Sequence, residues 1–308
     1  MAEDHRLGRT LATTTDSLEI PRPARAGRGR LSLAWLGITP FLLYTFLFLF
    51  LPAGQVMFGA FQDQAGGYTL TNVETLFEEP YRSAFRNSIE VSLVTAGVGG
   101  LLGVLIAYAA IREGTPRIVR TILTTFSGVA ANFAGIPLAF AFIATLGTIG
   151  ILTQFLADLG IDLYGNGFSL FSKTGVELAY LYFQIPLMIL VIAPAIDGLR
   201  REWREASANL GASPLQFWRY IGLPILTPSL LGATVLLFGN SFSAYATAYG
   251  LTAGGVNLVP ITIGNFLSGD VLSNPHLGQA LALGMFVVLA VMMIIYIPLQ
   301  RISSRWVR

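Results

Sequence analysis

Six long apolar segments constrain this chain more than any other feature of its sequence. Each is close to the roughly 20 residues that an α-helix needs to cross the hydrocarbon core of a bilayer, and each carries almost no charge. Only 12% of all residues are charged, about half of the usual fraction in a soluble domain. The sequence therefore predicts an all-α integral membrane protein with six transmembrane helices, at about residues 31–51, 87–111, 122–145, 175–196, 225–251 and 277–299.

The first 30 residues are polar and rich in Arg, Thr and Pro, without apolar periodicity, which predicts a disordered tail over residues 1–30. The basic flank of the apolar run that follows is similar to that of a signal peptide. This run is too long for the apolar core of a signal peptide, however, and no convincing cleavage site follows it. We therefore predict an uncleaved first transmembrane helix, with residues 31–308 forming one transmembrane domain.

Basic residues are distributed unevenly between the two sides that a six-span chain defines. On the side of the two termini lie 16 of the 19 Lys and Arg residues, while the opposite side holds Arg82, Arg86 and Lys173. Acidic residues divide almost evenly, as expected if Lys and Arg alone set the orientation. The bias predicts a multi-pass membrane protein with both termini and the disordered tail in the cytoplasm.

A polar, Arg-rich segment at residues 197–224 separates the fourth and fifth predicted spans. Its apolar residues recur at helical spacing on one stripe, formed by Leu199, Trp203, Ala206 and Leu210. Gly211 suits the left-handed residue that ends a helix, and Ser213 before Pro214 is typical of the start of another. The pattern predicts a helix–Gly–helix elbow that lies across the cytoplasmic end of the bundle.

The spacing within this elbow supports a family resemblance. Glu205-Ala206, then Gly211, Ile221 and Leu223-Pro224, resembles the EAA loop of binding-protein-dependent ABC importer permeases. Ser207 departs from the family pattern, which usually has a second Ala there. On periodicity alone, an amphipathic connector that rests on the lipid surface would fit the segment as well. The resemblance extends over roughly residues 85 to 300.

Membership of this family implies a location in a bacterial-type plasma (inner) membrane, together with several partners. The chain would pair with a second permease, identical or homologous, and work with two cytoplasmic ATP-binding subunits and an extracytoplasmic solute-binding protein. The resemblance assigns ATPase coupling to residues of the elbow, namely Trp203, Glu205, Ala206, Ser207, Gly211, Ile221, Leu223 and Pro224. Glu205 would pair either with Arg201 or with a basic residue of the ATPase, and the sequence does not choose between them.

Several chemistries lack their motifs in this sequence. The Gly-x-x-x-x-Gly-Lys-[Ser/Thr] phosphate loop is absent, so the chain does not hydrolyse ATP in that way. With two His and no Cys, a zinc site is not expected. We predict a non-enzymatic protein without cofactor or metal, in contact with membrane lipid, with no role in nucleic-acid binding.

Polar and aromatic residues inside the apolar spans predict the solute pathway. An unpaired polar group is costly in the membrane, so it usually faces the bundle interior or a water-filled pathway. The alternative is interhelical hydrogen bonding. The candidate pathway residues are Asn132, Gln184, Asn240, Ser241, Phe242 and Tyr245.

The solute is constrained less by the sequence. No Asp or Glu lies near the centre of a predicted span. The layout of the fifth span resembles polyamine, ferric and related permeases, which implies a small organic solute such as a polyamine; ferric ion, phosphonate or a sugar are alternatives. A channel or secondary transporter would be expected to have intramembrane carboxylates, inverted repeats or a filter sequence, none of which is found. A membrane scaffold whose elbow only docks a partner is a further alternative.

Overall fold

The structure is a computed structural model that describes residues 34–111, 115–268 and 274–304. The tail predicted over residues 1–30 lies outside the described residues. Within those ranges the regular elements are helices, apart from one isolated β-bridge between Gln62 and Tyr68. This confirms the all-α prediction for the part of the chain that the structure describes. The described residues divide after Leu51 into two compact units, and both candidate functional sites lie in the second.

Fourteen α-helices make up the described part of the chain. In chain order they are α1 Ala34–Thr45, α2 Leu51–Gly59, α3 Thr71–Thr75, α4 Tyr81–Ile111, α5 Arg117–Asn132, α6 Ile136–Leu146, α7 Ile151–Asp158, α8 Lys173–Asp197, α9 Arg201–Asn209, α10 Pro214–Phe217, α11 Leu223–Phe242, α12 Ala246–Thr252, α13 Val259–Ser268 and α14 Pro275–Ser304. Two π-helical turns, Phe46–Phe50 and Trp218–Gly222, join α1 to α2 and α10 to α11.

Six helical stretches of the described residues are long and apolar enough to cross a membrane, as predicted. They are Gly37–Gly59, Tyr81–Ile111, Ile136–Asp158, Lys173–Asp197, Pro214–Phe242 and Pro275–Arg301. The first stretch continues past its predicted end at residue 51. Pro52 has no backbone N–H to donate to the preceding turn of the helix, and the π-helical turn Phe46–Phe50 lies in that preceding turn.

The third predicted span, residues 122–145, is wrong as one continuous helix. Helix α5 ends at Asn132 and α6 begins at Ile136, with Gly135 between them at φ 76°. A positive φ is accessible to glycine at little cost, and it turns the chain out of the helix. Pro137 then occupies the first turn of α6, where its missing N–H is not needed, so it starts a helix rather than kinking one. The third membrane-spanning stretch is therefore α6 with α7.

The fifth predicted span, residues 225–251, is displaced in a similar way. Its helix begins at Pro214, passes through the π-helical turn ahead of Pro224, and ends at Phe242. The chain leaves helical geometry at Ser243 and resumes it in α12. The second helix of the predicted elbow is therefore the first part of the fifth span, and of the two elbow helices only α9 lies as a separate helix between the fourth and fifth spans.

Helices α4, α8 and α11 form the centre of the bundle. Glycines of α4 permit its close approach to α8: a Cβ at Gly103 would lie 2.5 Å from Met188 Cβ and 2.9 Å from the Ile185 carbonyl oxygen. The absence of a side chain at Gly103 therefore permits the contact between α4 and α8, as small residues do at many helix–helix interfaces in membranes. Buried apolar side chains from α8 and α11 fill the space between these helices, including Met188, Ile192, Leu237 and Phe238.

Candidate coupling and translocation sites

The elbow is ordered by two complementary turn motifs. At the end of α9, the Ala212 amide donates to the Ser207 carbonyl (3.0 Å) and Gly211 adopts φ 80°, which closes the helix in a Schellman arrangement. Ser213 then forms a capping box with Gln216, in which each side chain accepts a hydrogen bond from the backbone N–H of the other. The helix end at Gly211 and the helix start at Ser213 are as predicted from the local sequence, and the left-handed conformation of Gly211 is confirmed, whereas the contribution of Gln216 was not predicted.

An open groove of about 660 Å³ lies between α9 and the start of the fifth span. Five of the predicted coupling residues line it: Trp203, Ala206, Ser207, Gly211 and Ile221. Leu210, at the rim, is 88% exposed, whereas Leu199, at the other end of the predicted stripe, is half-buried against the bundle. The stripe is therefore covered at one end only, and its other end leaves apolar surface open.

The remaining coupling residues lie beside the groove. Leu223 is exposed and Pro224 is half-buried, both where the π-helical turn leads into α11. Glu205 is exposed and accepts a hydrogen bond from Arg201 Nε at 2.6 Å, one helical turn away. Exposed pairs of this kind contribute about 0.3–0.5 kcal/mol, so the contact braces α9 only weakly.

Ser207 differs from the family pattern without disturbing the packing. Its side chain is buried, and its hydroxyl donates to the Arg204 carbonyl at 2.8 Å within the same helix. A hydroxyl satisfied in this way requires no additional partner, and its small volume is close to that of the expected Ala.

Two sets of interhelical contacts hold the C-terminal part of α11, one to α8 and one to α4. Gln184, fully buried on α8, donates from Nε2 to the Leu237 carbonyl at 2.7 Å, and its Oε1 accepts from Asn240 Nδ2 at 3.4 Å. Between α11 and α4, the Ser241 and Thr95 hydroxyls are 2.8 Å apart. Such contacts are worth roughly 0.6 kcal/mol each in membrane proteins.

The non-helical segment between α5 and α6, just before the third span, lies near the segment that follows the fifth span. The Gly135 amide donates to Thr247 Oγ1 at 2.7 Å, and the Tyr180 hydroxyl donates to the Ala244 carbonyl. Non-helical backbone at membrane depth needs such partners, because lipid offers none. The two segments therefore form one hydrogen-bonded junction between α6 and α12.

The six candidate pathway residues divide into two groups. Gln184, Ser241 and Phe242 are buried, and Phe242 stacks on Phe238, so these side chains pack inside the bundle. Asn132, Asn240 and Tyr245 are exposed on the single chain. The ring of Tyr245 stacks on Tyr249, with 5.3 Å between the ring centroids, whereas Asn132 donates to the Gly128 carbonyl of its own helix.

Sequence reasoning missed three polar residues of this region. They are Thr95, Tyr180 and Thr247, each of which makes a hydrogen bond to a segment distant in sequence. Thr95, Tyr180 and Thr247 are polar residues inside apolar stretches, so the criterion used for Asn132 and Gln184 would have found them.

The family model described as "Binding-protein-dependent transport system inner membrane component" matches residues 99–308. The sulfate transport system permease protein CysT of Synechococcus elongatus is 28% identical over 68% of this chain and 70% of its own length. The CysW permease of the same organism is 23% identical over 78% of this chain and 80% of its own length. A probable CysT of Anthoceros angustus is 27% identical over 54% of this chain, which spans about half of that relative.

Solved structures share the fold. The permease chain of a bacterial ABC transporter involved in the import of the acidic polysaccharide alginate has a TM-score of 0.68, with 17% identity over 89% of this chain and 95% of that one. A second alginate transporter structure, in complex with alginate pentasaccharide-bound periplasmic protein, has a TM-score of 0.69. Its identity is 20%, over 88% of this chain and 95% of that one. The relatives are transport proteins rather than enzymes, as predicted. This multi-pass membrane chain belongs to the family of binding-protein-dependent transport system inner membrane components, the permease subunits of ABC importers.

Proposed function

We propose that this permease carries an inorganic oxyanion, sulfate or a close analogue, in ATP-driven import. The observation that carries the proposal is that the curated relatives with 26–28% identity over about two thirds of the chain are named sulfate permeases. The polyamine expected from the layout of the fifth span finds no support among them. The spans also lack a central carboxylate that would pair with a polycation, while they offer neutral amides and hydroxyls.

Partners follow from the same comparisons. Both a CysT and a CysW permease of one organism resemble this chain, which supports a pair of permease subunits around the pathway. The family description names a binding protein, and a matched transporter was solved with its periplasmic protein bound. We infer a complex of two permeases, two ATP-binding subunits and an external solute-binding protein.

The elbow groove is the proposed docking site of the ATP-binding subunit. Its apolar lining and the exposed side chains of Leu210 and Leu215 leave a surface that a partner would cover. Because the sequence has no phosphate loop, the force of ATP hydrolysis has to enter through a contact with another chain. The eight predicted coupling residues all lie in this groove or beside it, which supports their proposed role.

Uptake in reconstituted vesicles tests the function. The permease, assembled with its partner permease, its ATPase and its binding protein, is expected to accumulate radiolabelled sulfate only when both ATP and the binding protein are present. Accumulation of spermidine in place of sulfate would contradict the proposal that the solute is an oxyanion. Sulfate flux that is independent of ATP would instead favour a channel or secondary transporter.

The orientation of the chain in the membrane is a separate proposal. The excess of Lys and Arg on the side of the termini supports a cytoplasmic location for the elbow. A cytoplasm-active reporter fused after Arg308 is therefore expected to be active, and a tag inserted within residues 251–275 to be accessible from outside the cell. The reverse pattern of accessibility would contradict this orientation.

We infer that the solute passes along the exposed face that carries Asn240 and Tyr245. Both side chains are polar and exposed on the single chain, and a polar group at membrane depth is costly against lipid. Asn240→Ala and Tyr245→Ala are each expected to lower the rate of sulfate uptake severalfold while the complex still assembles. Thr227→Ala is the matched control, because the Thr227 hydroxyl bonds only to the Leu223 carbonyl of its own helix. Uptake at the parental rate in both variants would remove this face from the pathway.

A further inference from the structure

Gln184 is a fully buried polar side chain near the middle of α8. It lies 11 residues from Lys173 and 13 from Asp197, which places it roughly 16 and 20 Å from the two ends of α8 at the usual helical rise. None of its surface is exposed, so no solute reaches it. A role in transport would therefore have to act through a neighbour.

The two ends of the Gln184 amide can be told apart by chemistry. The Leu237 carbonyl, 2.7 Å away, only accepts hydrogen bonds, so the nitrogen of the amide has to face it. The oxygen consequently points away from Leu237, towards Asn240. This settles the orientation of an amide group that could otherwise be flipped.

The orientation of Gln184 in turn determines that of Asn240. The Gln184 oxygen accepts from Asn240 Nδ2 at 3.4 Å, so Asn240 turns its nitrogen inward. Its Oδ1 and its remaining N–H are then left for the exposed side. A free asparagine on a helix surface would rotate its amide and present either group.

Asn240 lies on the one stripe of the outer part of α11 that is exposed. Leu236, Asn240 and Ser243 are exposed at helical spacing, whereas Ser241 and Phe242 point into the bundle. Within that stripe, the Asn240 side chain forms a hydrogen bond with a residue of another helix, Gln184 of α8, whereas the Ser243 hydroxyl donates to carbonyls of α11 itself.

We propose that Gln184 is a positioning residue for solute selectivity: it fixes the Asn240 amide in one orientation on the exposed face and never touches the solute. The inference rests on the proposed pathway along that face. Its chemical consequence is that a passing oxyanion meets a defined pair of one donor and one acceptor. When Gln184 is lost, the amide rotates, and oxyanions of different size are distinguished less well.

A double-mutant cycle tests the proposal in the full reconstituted complex. Gln184→Met keeps the length of the side chain and removes both hydrogen bonds, and Asn240→Ala removes the group that is positioned. The readout is the ratio of sulfate to selenate uptake at saturating loaded binding protein, with the amount of assembled complex measured alongside. Selenate has the charge and shape of sulfate but is larger, so a purely structural defect would lower both rates together.

Gln184→Met is expected to change the uptake ratio about threefold, the size of effect that corresponds to one interhelical hydrogen bond. In the Asn240→Ala background, Gln184→Met is expected to cause no further change, because the group that it positions is gone. A selectivity change that persists in that background, or a parental ratio in Gln184→Met, would overturn the proposal.

Gln184→Glu is the second variant, and it keeps the test decisive if Gln184→Met blocks assembly. A buried carboxyl is held neutral, so it donates its proton to Leu237 and keeps an oxygen towards Asn240. Parental selectivity is therefore expected, and a changed ratio in an assembled Gln184→Glu complex would contradict the positioning role. If the parent complex transports no sulfate, the proposed function is wrong. This outcome can be distinguished from a failure of the positioning role, which would appear only in the variants.

Discussion

A Gly103→Val variant is expected to lose a large part of the stability of the bundle, whereas Gly97→Val on the same helix is expected to unfold like the parent. A Cβ at Gly103 would lie 2.5 Å from Met188 Cβ and 2.9 Å from the Ile185 carbonyl oxygen, and the latter is backbone that cannot rotate away. Helices α4 and α8 would therefore have to separate. At Gly97, a Cβ would meet no heavy atom within 4 Å.

The expected cost follows from what overpacking does in well-packed interiors. Insertion of extra methyl groups typically costs about 1–3 kcal/mol, and a clash with backbone brings the value to the upper end. The free energy of unfolding of the isolated chain in detergent micelles measures the effect, with Gly97→Val as the control for added β-branched bulk in the same helix. Equal losses in the two variants would mean that helix propensity, rather than the approach of α8, causes the loss.

The number of spans and the design of the elbow were predictable because their signals are local. The length and apolar character of each span are contained in one stretch of chain. The same is true of the turn chemistry around Gly211, where a glycine follows a helix and Ser213 with Gln216 starts the next. Local signals of this kind do not depend on what packs against the segment.

The breaks in the third and fifth spans were not predicted as helix ends, because an apolar run has the same composition whether its helix is continuous or broken. Gly135 ends a helix here since Thr247, on a distant segment, satisfies its amide. Without that partner the break would leave an unsatisfied group inside the membrane. The sequence places Gly135 and Thr247 in different spans and gives no sign that they meet.

For a related reason, the sequence could not tell which candidate pathway residues are exposed and which are buried in the bundle. Asn240 and Ser241 are neighbours in sequence but lie about 100° apart around α11, so one is exposed and the other is buried. Which of the two faces inward is determined by the packing of α4 and α8 against α11. Similarly, Gly97 and Gly103 look alike in sequence, and only their position relative to α8 distinguishes them.

The largest functional effect is expected from Gly211→Val in the elbow. Gly211 adopts φ 80°, a conformation that costs a residue with a side chain about 1–2 kcal/mol, and more if it is β-branched. No heavy atom lies within 4 Å of the added Cβ, so the expected cost is conformational rather than steric. The backbone escapes the strain by changing the angle between α9 and the start of the fifth span, and the groove between them changes shape.

We therefore expect Gly211→Val to insert and fold but to bind its ATPase about tenfold more weakly, the factor that corresponds to 1.4 kcal/mol, and to lose uptake in proportion. Gly211→Asn is expected to stay near the parent, because asparagine tolerates the left-handed conformation. Ala208→Val introduces the same β-branched side chain on the exposed side of α9, outside the groove, and is expected to be neutral. The measurements are the amount of co-purified ATPase and the rate of uptake, determined side by side for each variant. Parental values for both in Gly211→Val would mean that the elbow is only a connector, because its geometry would then have no part in transmitting ATP hydrolysis to the spans.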